Sequence, residues 1–245
     1  MIHKHTFVYN GLLSSDYGLV LSGADTWTRA QPDVQRISVP GRNGDIILPG
    51  NRFKNMDITY HCGIIRDMRR NFDALAERLG ASPGFYRLED SYHPESFRLA
   101  SFESALTPDV HERGMYATVD ITFNCSPQRY LKSGEHWITL VGDGIIYNPT
   151  AYVALPRFRF HPGVNTGKIF IGGAYIYVPR LQSLAELEID CETEEVMVAK
   201  SRKPVNDQLV FEGYRFPRLF PGDNFIRAIG VQLGEIRIYP RWWTI

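Results

Sequence analysis

Residues 119–125 read Val-Asp-Ile-Thr-Phe-Asn-Cys, so every second side chain is apolar. Successive side chains of a β-strand point to opposite faces, and this alternation predicts a strand with one face on a core and the other in water. The same period of two occurs in residues 57–62, 186–191 and 235–238. Such strands are typical of antiparallel sheets, so the sequence predicts a mainly β protein.

A single segment has the period of a helix. Between residues 64 and 80 the apolar side chains are spaced three or four apart, with charged side chains opposite. This stripe consists of Ile64, Ile65, Met68, Phe72, Leu75, Ala76 and Leu79. We expect one α-helix here, ending at Gly80 in the left-handed conformation because Pro83 prevents its continuation.

Turn-forming residues are dense between residues 37 and 60. Residues 40–45 read Pro-Gly-Arg-Asn-Gly-Asp, and the Asn-Gly pair suits the two positive φ angles of a tight hairpin turn. Residues 49–51, Pro-Gly-Asn, predict a second turn. Residues 37–60 are therefore expected to form an extended arm of three strands joined by two turns.

The organisation of the chain changes near residues 126–134. The alternating strand of residues 119–125 gives way to a polar stretch, and further strands follow with no helical segment. This predicts an α+β domain of residues 1–130 and an all-β domain of residues 131–245, each large enough to hold its own core.

The composition excludes several classes of protein. The 245 residues carry 27 basic and 27 acidic side chains, and 44% are apolar, which excludes a disordered chain and a strongly basic nucleic-acid binder. Three cysteines are too few for a disulfide scaffold and are expected as free thiols in the core, in a reducing compartment. No apolar run suits a secretory signal or a membrane helix, so we expect no membrane insertion.

Sequence motifs of catalysis and cofactor binding are missing. The chain has no nucleophile elbow, phosphate loop or zinc-binding spacing, so we assign no catalytic, cofactor-binding or metal-binding residue. His3 and His5 share a predicted strand face, but two ligands make a poor metal site. Residues 186–195 hold six acids and no base, which we interpret as a solvated face or one aimed at a basic partner.

Aromatic residues of the C-terminal half raise the question of a saccharide site. His136, Trp137 and Trp243 are candidate contacts to a sugar or a partner protein, and His161 with Asn165 forms a second polar group. Neighbouring strand residues point to opposite faces, so we expect one of Trp242 and Trp243 in the core and the other at an interface.

The order and spacing of several short pieces resemble one known family. These pieces are residues 7–21, 39–45, 84–94, 189–192, 216–224 and 239–243. Over essentially the whole chain the sequence resembles the distal tail protein family of siphoviruses, which are phages with long non-contractile tails. The ending after Trp243 departs from the family pattern, in which a further basic residue is expected.

The resemblance implies a fold and a place in the virion. The N-terminal domain is expected to be a β-sandwich with one helix and a long hairpin arm, and six copies of it form a ring around a channel. The C-terminal domain is expected to be a galectin-like β-sandwich outside the ring. The ring sits at the tail tip between the tail-tube protein and the tail-associated hub protein, with receptor-binding or other baseplate proteins around it. DNA only passes through the channel, the protein is made in the bacterial host cytoplasm, and no enzymatic activity or cofactor is implied.

The tip of the arm is the candidate contact between copies in the ring. Arg42, Asn43, Gly44 and Asp45 are the residues that we expect at this interface, with Arg42 and Asp45 forming ion pairs that repeat around the ring. A simpler interpretation is that Gly41 to Asp45 only make a tight turn.

Two alternative functions remain at this point. One is a carbohydrate-binding protein whose C-terminal β-sandwich binds host cell-wall saccharide. The other is an enzyme such as a glycosidase or a peptidase, for which the sequence offers no motif.

Overall fold

The structure, a computed structural model, describes residues 5–81, 83–111, 115–162, 165–180, 185–230 and 235–245. The chain forms two compact units, one of Met1–Arg129 together with Ile245 and the other of Tyr130–Thr244. Strands make up 52% of the structure and helical residues 12%, so the predicted mainly β class is confirmed.

The first unit is built on one large sheet. Its sheet order is β2-β1-β7-β8-β10-β6-β3, and β9 also pairs with β10. The strands are β1 (Phe7–Tyr9), β2 (Leu12–Leu13), β3 (Leu19–Ala24), β4 (Pro32–Ile37), β5 (Ile46–Phe53), β6 (Met56–Ile64), β7 (Tyr86–Asp90), β8 (Ser96–Phe102), β9 (Pro108–His111) and β10 (Tyr116–Leu131).

The sheet of the first unit folds over its own core. The ring centroids of Phe7 in β1 and Tyr60 in β6 are only 5.0 Å apart, although three strands separate β1 from β6. In a flat sheet these two strands would lie about 19 Å apart, since neighbouring strands are roughly 4.8 Å apart. Phe123 of β10 contacts both rings, at 5.6 Å and 6.0 Å. The alternation predicted for residues 119–125 places this side chain in the core.

The single α-helix of the described residues is α1 (Met68–Gly80), which covers the core with Leu75 and Leu79. It begins four residues later than predicted, because Ile64 belongs to β6 and owes its burial to the strand alternation. Ile65, also predicted on the helical stripe, is exposed. The predicted left-handed end at Gly80 is wrong, since Ala81 continues in right-handed conformation with φ −69°.

The second unit consists of two five-stranded antiparallel sheets. Their orders are β11-β20-β13-β16-β17 and β12-β19-β14-β15-β18. The strands are β11 (Ile138–Val141), β12 (Gly144–Asn148), β13 (Arg157–Phe160), β14 (Gly167–Ile171), β15 (Ala174–Val178), β16 (Leu187–Asp190), β17 (Glu195–Val198), β18 (Val210–Phe211), β19 (Gly222–Ile229), β20 (Glu235–Tyr239) and the short β21 (Trp243–Thr244).

Both sheets contribute side chains to one core in the second unit. Phe158 and Ile189 come from the first sheet, and Ile169 and Ile226 come from the second. Because apolar faces of two sheets meet in this core, the unit is a β-sandwich. Gly172 and Gly173 join β14 to β15 with φ angles of 52° and 81°, and this pair of positive angles suits a tight hairpin.

Candidate assembly surfaces

Strands β4 and β5 form a two-stranded sheet separate from the main sheet. We call residues 32–53 the hairpin arm. Nearly all of its residues are exposed, including Ile37, Leu48 and Ile47, the last at 58%. A two-stranded ribbon with apolar side chains in water is marginally stable alone, and its free edges are open to pairing. The arm is therefore the first candidate assembly surface.

The boundaries of the arm differ from the prediction of residues 37–60. The arm begins earlier, at Pro32, and the residues after Phe53 enter β6 of the main sheet. Residues 49–51 form no turn: they lie within β5, where Asn51 has φ 53° and the pairing register shifts. This irregularity is a β-bulge, and a Cβ on Gly50 would meet the Asp33 carbonyl oxygen at 2.7 Å. Gly50 thus permits the close approach of β4 to β5 and does not form a turn.

The base of the arm is held to the body of the first unit. Phe53 packs against the core, and the backbone N–H of Lys54 donates to the Gln31 carbonyl at 2.9 Å. Arg52 Nε donates to Asp33 Oδ2 at 2.7 Å, and this hydrogen bond holds the pKa of the Asp33 carboxyl below its usual value. The arm is anchored at its base and exposed beyond it.

The tip of the arm carries the predicted ring-interface residues. The N–H of Arg42 donates to the Val39 carbonyl at 3.1 Å, and Gly41 between them has φ 80°, which fits a type II turn. The two positive φ angles predicted for Asn43 and Gly44 are not both present, since only Gly44 has one, at 82°. All four candidate residues, Arg42, Asn43, Gly44 and Asp45, are exposed. Their contact with another copy stays a prediction.

A second candidate surface lies on the outer side of one sheet of the second unit. Along β12 and β19, exposed side chains alternate with the core residues Ile146 and Ile226. We call these exposed side chains and their neighbours on β15 and β18 the aromatic face. Its most exposed apolar members are Ile145, Tyr147, Tyr177, Val210, Phe225 and Ile229.

The aromatic face also carries two basic side chains. Lys168 Nζ lies 4.3 Å from the ring centroid of Tyr175, and the Arg227 guanidinium lies 5.8 Å from that of Phe225. Register places Ile145 beside Phe225 on neighbouring strands. Tyr147 is 65% exposed. Exposed apolar side chains grouped on one sheet face are a candidate interaction surface, and the aromatic face is therefore the second candidate assembly surface.

The predicted saccharide contacts are occupied by neighbours within the second unit. Trp137 lies 5.5 Å from the Tyr239 ring and 4.6 Å from the Arg159 guanidinium. Trp243 stacks on Tyr152 at 4.4 Å, and its indole N–H donates to the Val153 carbonyl at 2.9 Å. The structure thus gives the two tryptophans different neighbours.

The other residues singled out for saccharide or metal contacts are exposed. They are His5, His136, His161 and Asn165, while His3 lies outside the described residues. Trp242 is buried in the core of the second unit, as one of the adjacent pair was expected to be. Saccharide binding by His136, Trp137 and Trp243 stays a prediction.

The acidic run of residues 186–195 is paired within the chain at Glu186, Glu188 and Asp190, whereas Glu192, Glu194 and Glu195 are exposed. Glu188 is fully buried and accepts from Arg159 Nε at 2.6 Å. Asp190 accepts from Arg241 through two bonds of 2.7 Å each. Burial raises the pKa of Asp190, but the hydrogen bonds and charge of Arg241 outweigh it and bring the pKa to about 2. The basic partners of the paired acids are therefore arginines of the second unit itself.

The signal that would have found these pairs lies in residues 157–160, which read Arg-Phe-Arg-Phe. On β13 the two phenylalanines enter the core, and the arginines face the acids of β16. Register sets Arg159 opposite Glu188 and Arg157 opposite Asp190. Oppositely charged cross-strand pairs stabilise a sheet, so two complementary alternating strands predict such a pairing.

No candidate catalytic or metal centre emerges from the residues that the structure describes. Within them, no group of three or more His, Cys, Asp or Glu side chains is placed to hold a metal ion. Cys62, Cys125 and Cys191 are buried free thiols, and burial raises the pKa of the first two to about 12. No helix among the described residues is long and apolar enough to cross a membrane.

The fold of two antiparallel β units, with one helix and a hairpin arm among the described residues of the first, has counterparts among solved phage tail and baseplate proteins. The chain is similar to the Dit (gp 19.1) protein of phage SPP1, a paradigm of the hub adsorption apparatus in phages that infect Gram-positive bacteria. The TM-score is 0.78 at 13% identity, covering 98% of this chain and 99% of that chain. The likeness to the siphovirus distal tail family is confirmed at the level of the fold.

A second solved structure has a related fold. It is the phage p2 baseplate in its activated conformation with Sr, with a TM-score of 0.50 at 12% identity, covering 95% of this chain and 97% of that chain. No protein-family model matches the sequence, and no curated protein matches it. The relationship is therefore visible in the fold rather than in the residues.

Proposed function

We propose that this chain is a structural protein of a phage tail tip, without enzymatic activity. Six copies form a ring through the first unit, and the ring joins the tail-tube protein to the tail-associated hub protein. The observation that carries this proposal is the hairpin arm, whose apolar side chains are exposed in the single chain. The fold likeness to SPP1 Dit and to the phage p2 baseplate supports a tail-tip role.

The arm suits a contact that repeats around a ring. An arm that reaches a different patch on the next copy makes a heterologous contact, and such contacts close into rings when the rotation permits. Its free edges favour strand addition to a neighbouring sheet. In the described residues neither Arg42 nor Asp45 has an ion-pair partner, so both charges remain for a neighbouring copy.

The charge balance suits a channel through which DNA only passes. The chain has 27 basic and 27 acidic side chains. Each contact between a phosphate and a Lys or Arg would add affinity for DNA, so a basic channel would retain the genome. A neutral ring avoids this retention.

We assign the second unit to the outside of the ring as a galectin-like sandwich, and the aromatic face to the attachment of receptor-binding or other peripheral baseplate proteins. The exposed apolar rings of this face support the assignment. Saccharide binding is not favoured, because Trp137 and Trp243 are engaged by neighbours in their own unit. We place the protein in the virion tail tip after synthesis in the bacterial host.

Native mass spectrometry of the purified full chain tests the ring. We expect a six-fold mass for the natural sequence, and loss of that species in Arg42→Glu and in Asp45→Lys. If Arg42 of one copy pairs with Asp45 of the next, the double variant restores the pair with reversed sign and recovers the ring. An unchanged hexamer in both single variants would contradict the role of the tip.

Apolar substitutions separate the arm from the aromatic face. Ile47→Asn is expected to weaken the ring, while Ile145→Asn, a matched change at an exposed residue of the second unit, leaves it intact. Co-expression with the other tail proteins of the same phage, followed by electron microscopy, tests the periphery. There, Tyr147→Asp should remove mass around the ring without breaking it. Equal effects of Ile47→Asn and Ile145→Asn on the ring would contradict the assignment of the two surfaces.

A further inference from the structure

Two arginines are buried in the first unit away from any ion-pair partner. Arg98 is 5% exposed and Arg129 is 6% exposed. Buried cations in proteins are normally paired with a carboxylate, because removing a charge from water is costly. In the described part of the chain, the hydrogen-bond partners of these two guanidinium groups are neutral atoms.

Neutral acceptors satisfy some of the guanidinium donors without balancing their charge. Arg129 Nη2 donates to the Thr26 carbonyl at 2.8 Å, and Arg129 Nη1 lies 3.4 Å from His93 Nδ1. Arg98 Nη1 donates to the Pro127 carbonyl at 3.4 Å, whereas Arg98 Nη2 is buried with no protein acceptor. Arg98 Nη2 is therefore available to donate a hydrogen bond to a bound ligand.

The nearby buried acid does not neutralise both arginines. Asp90 Oδ2 accepts from the Tyr60 hydroxyl at 2.9 Å, and Asp90 Oδ1 accepts from the N–H groups of Tyr92 and His93 at 2.9 Å and 2.8 Å. Burial and Arg129 lower the pKa of His93, so its ring is neutral at pH 7. Counted over Arg98, Arg129 and Asp90, two positive charges against one negative charge leave a net charge of +1, and Arg29 adds a further positive charge nearby.

The electrostatics of Arg129 agree with this imbalance. Burial, Arg98 and Arg29 together lower the pKa of Arg129 to about 10. A guanidinium that loses its proton more easily than usual is one whose positive charge is poorly compensated.

A small cavity is lined by Arg98, the side chain that carries the unused donor. It has a volume of about 10 Å³, and its lining includes Tyr60, Asp90, His93, Arg98 and Arg129. This volume is close to the minimum for a single water-sized occupant. We propose that the cavity is a binding site for one monoatomic anion, chloride in ordinary buffers, held by Arg98 Nη2. The anion brings the net charge of Arg98, Arg129 and Asp90 to zero, which a water molecule does not do. The two guanidinium charges outweigh the repulsion from Asp90.

Bromide provides a direct probe, because it replaces chloride and gives an anomalous X-ray signal. Crystals of the full chain grown in bromide are expected to show one anomalous peak within hydrogen-bonding distance of Arg98 Nη2. A water peak at that position without anomalous signal would overturn the proposal. This experiment needs no variant, so it stands even if substitutions in the core prevent folding.

Thermal unfolding tests the same site in solution. At constant ionic strength, replacing gluconate with chloride should raise Tm by roughly 3–6 °C at a tenfold excess over the dissociation constant, and the rise should saturate. The Arg98→Met variant should lose this dependence, whereas Arg227→Met, a change at an exposed arginine of the second unit, should keep it. Equal Tm values in chloride and gluconate for the natural sequence would contradict chloride binding.

Discussion

The pair of Arg241 and Asp190 offers a quantitative test of the second unit. Both side chains are nearly buried, at 12% and 6% exposure, and two hydrogen bonds of 2.7 Å join them. The pKa of Asp190 is about 2 in the folded chain against an ordinary value of 3.8. A difference of this size corresponds to about 2 kcal/mol of stability.

Arg241→Met should cost about 3 kcal/mol of unfolding free energy at pH 7. Removing one partner of a buried pair typically costs about 3–5 kcal/mol, because the other charge stays buried. The lower end is expected here, since Arg157 Nε remains 2.9 Å from Asp190 Oδ2. Urea unfolding measures this loss, and the fluorescence of the buried Trp242 reports on the same unit.

The pH dependence of the unfolding free energy shows that the pairing of Asp190 stabilises the folded chain only while Asp190 is ionised. Because folding lowers the pKa of Asp190, its stabilisation is complete above about pH 4 and is lost as the pH falls toward 2. In Arg241→Met the pKa of Asp190 rises toward its value in the unfolded chain, so the loss of stability between about pH 4 and pH 2 should be smaller than in the natural sequence.

Arg237→Met is the matched control. Arg237 pairs with Glu186, but their side chains are 37% and 20% exposed, so this pair should contribute at most about 1 kcal/mol. Equal losses of unfolding free energy in the two variants would refute the reasoning, and so would a loss between pH 4 and pH 2 in Arg241→Met that is as large as in the natural sequence.

Three further predictions concern single positions. Gly172→Ala should destabilise the second unit strongly, because a Cβ there would overlap the Arg218 carbonyl oxygen. Gly41→Ala has open space around it and should cost only about 1–2 kcal/mol for its positive φ, and urea unfolding compares the two variants. Cys62 and Cys125 should not react with a thiol reagent at pH 8 until urea unfolds the chain, because burial raises their pKa values to about 12. Rapid reaction of the folded chain would contradict their burial. Phe123→Ala should cost about 3–5 kcal/mol in the same unfolding assay, since its ring packs among the aromatic rings of the first core, and a cost below about 1 kcal/mol would contradict that packing.

The sequence predicted the local elements best where one periodicity acts alone. The alternation of residues 119–125 places Ile121 and Phe123 in the core. At Ile64 the strand period and the helical period overlap, so the predicted helix began too early. Helix α1 was still predicted, because its apolar stripe continues well beyond Ile64, where only the helical period applies.

Features that depend on distant parts of the chain could not be predicted from local patterns. Pro49-Gly50-Asn51 has the composition of a turn, but Gly50 serves the close approach of Asp33 on the opposite strand. The acids of residues 186–195 look solvated until β13 is placed beside β16. The candidate interface residues at the arm tip are a further step removed, because the partners that we propose for them lie on other copies of the chain.

As the proposed assembly surface, the hairpin arm would separate the energetics of folding from those of assembly. The core of the first unit takes side chains from Ala30 and Met56, on either side of the arm, but none from residues 34–52. Each copy can therefore complete its fold before it meets a neighbour. Substitutions beyond the base of the arm are then expected to change the concentration at which copies associate while leaving the melting temperature of the monomer unchanged. Substitutions in the arm can thus change the strength and the partners of association without lowering the free energy of unfolding of the first unit.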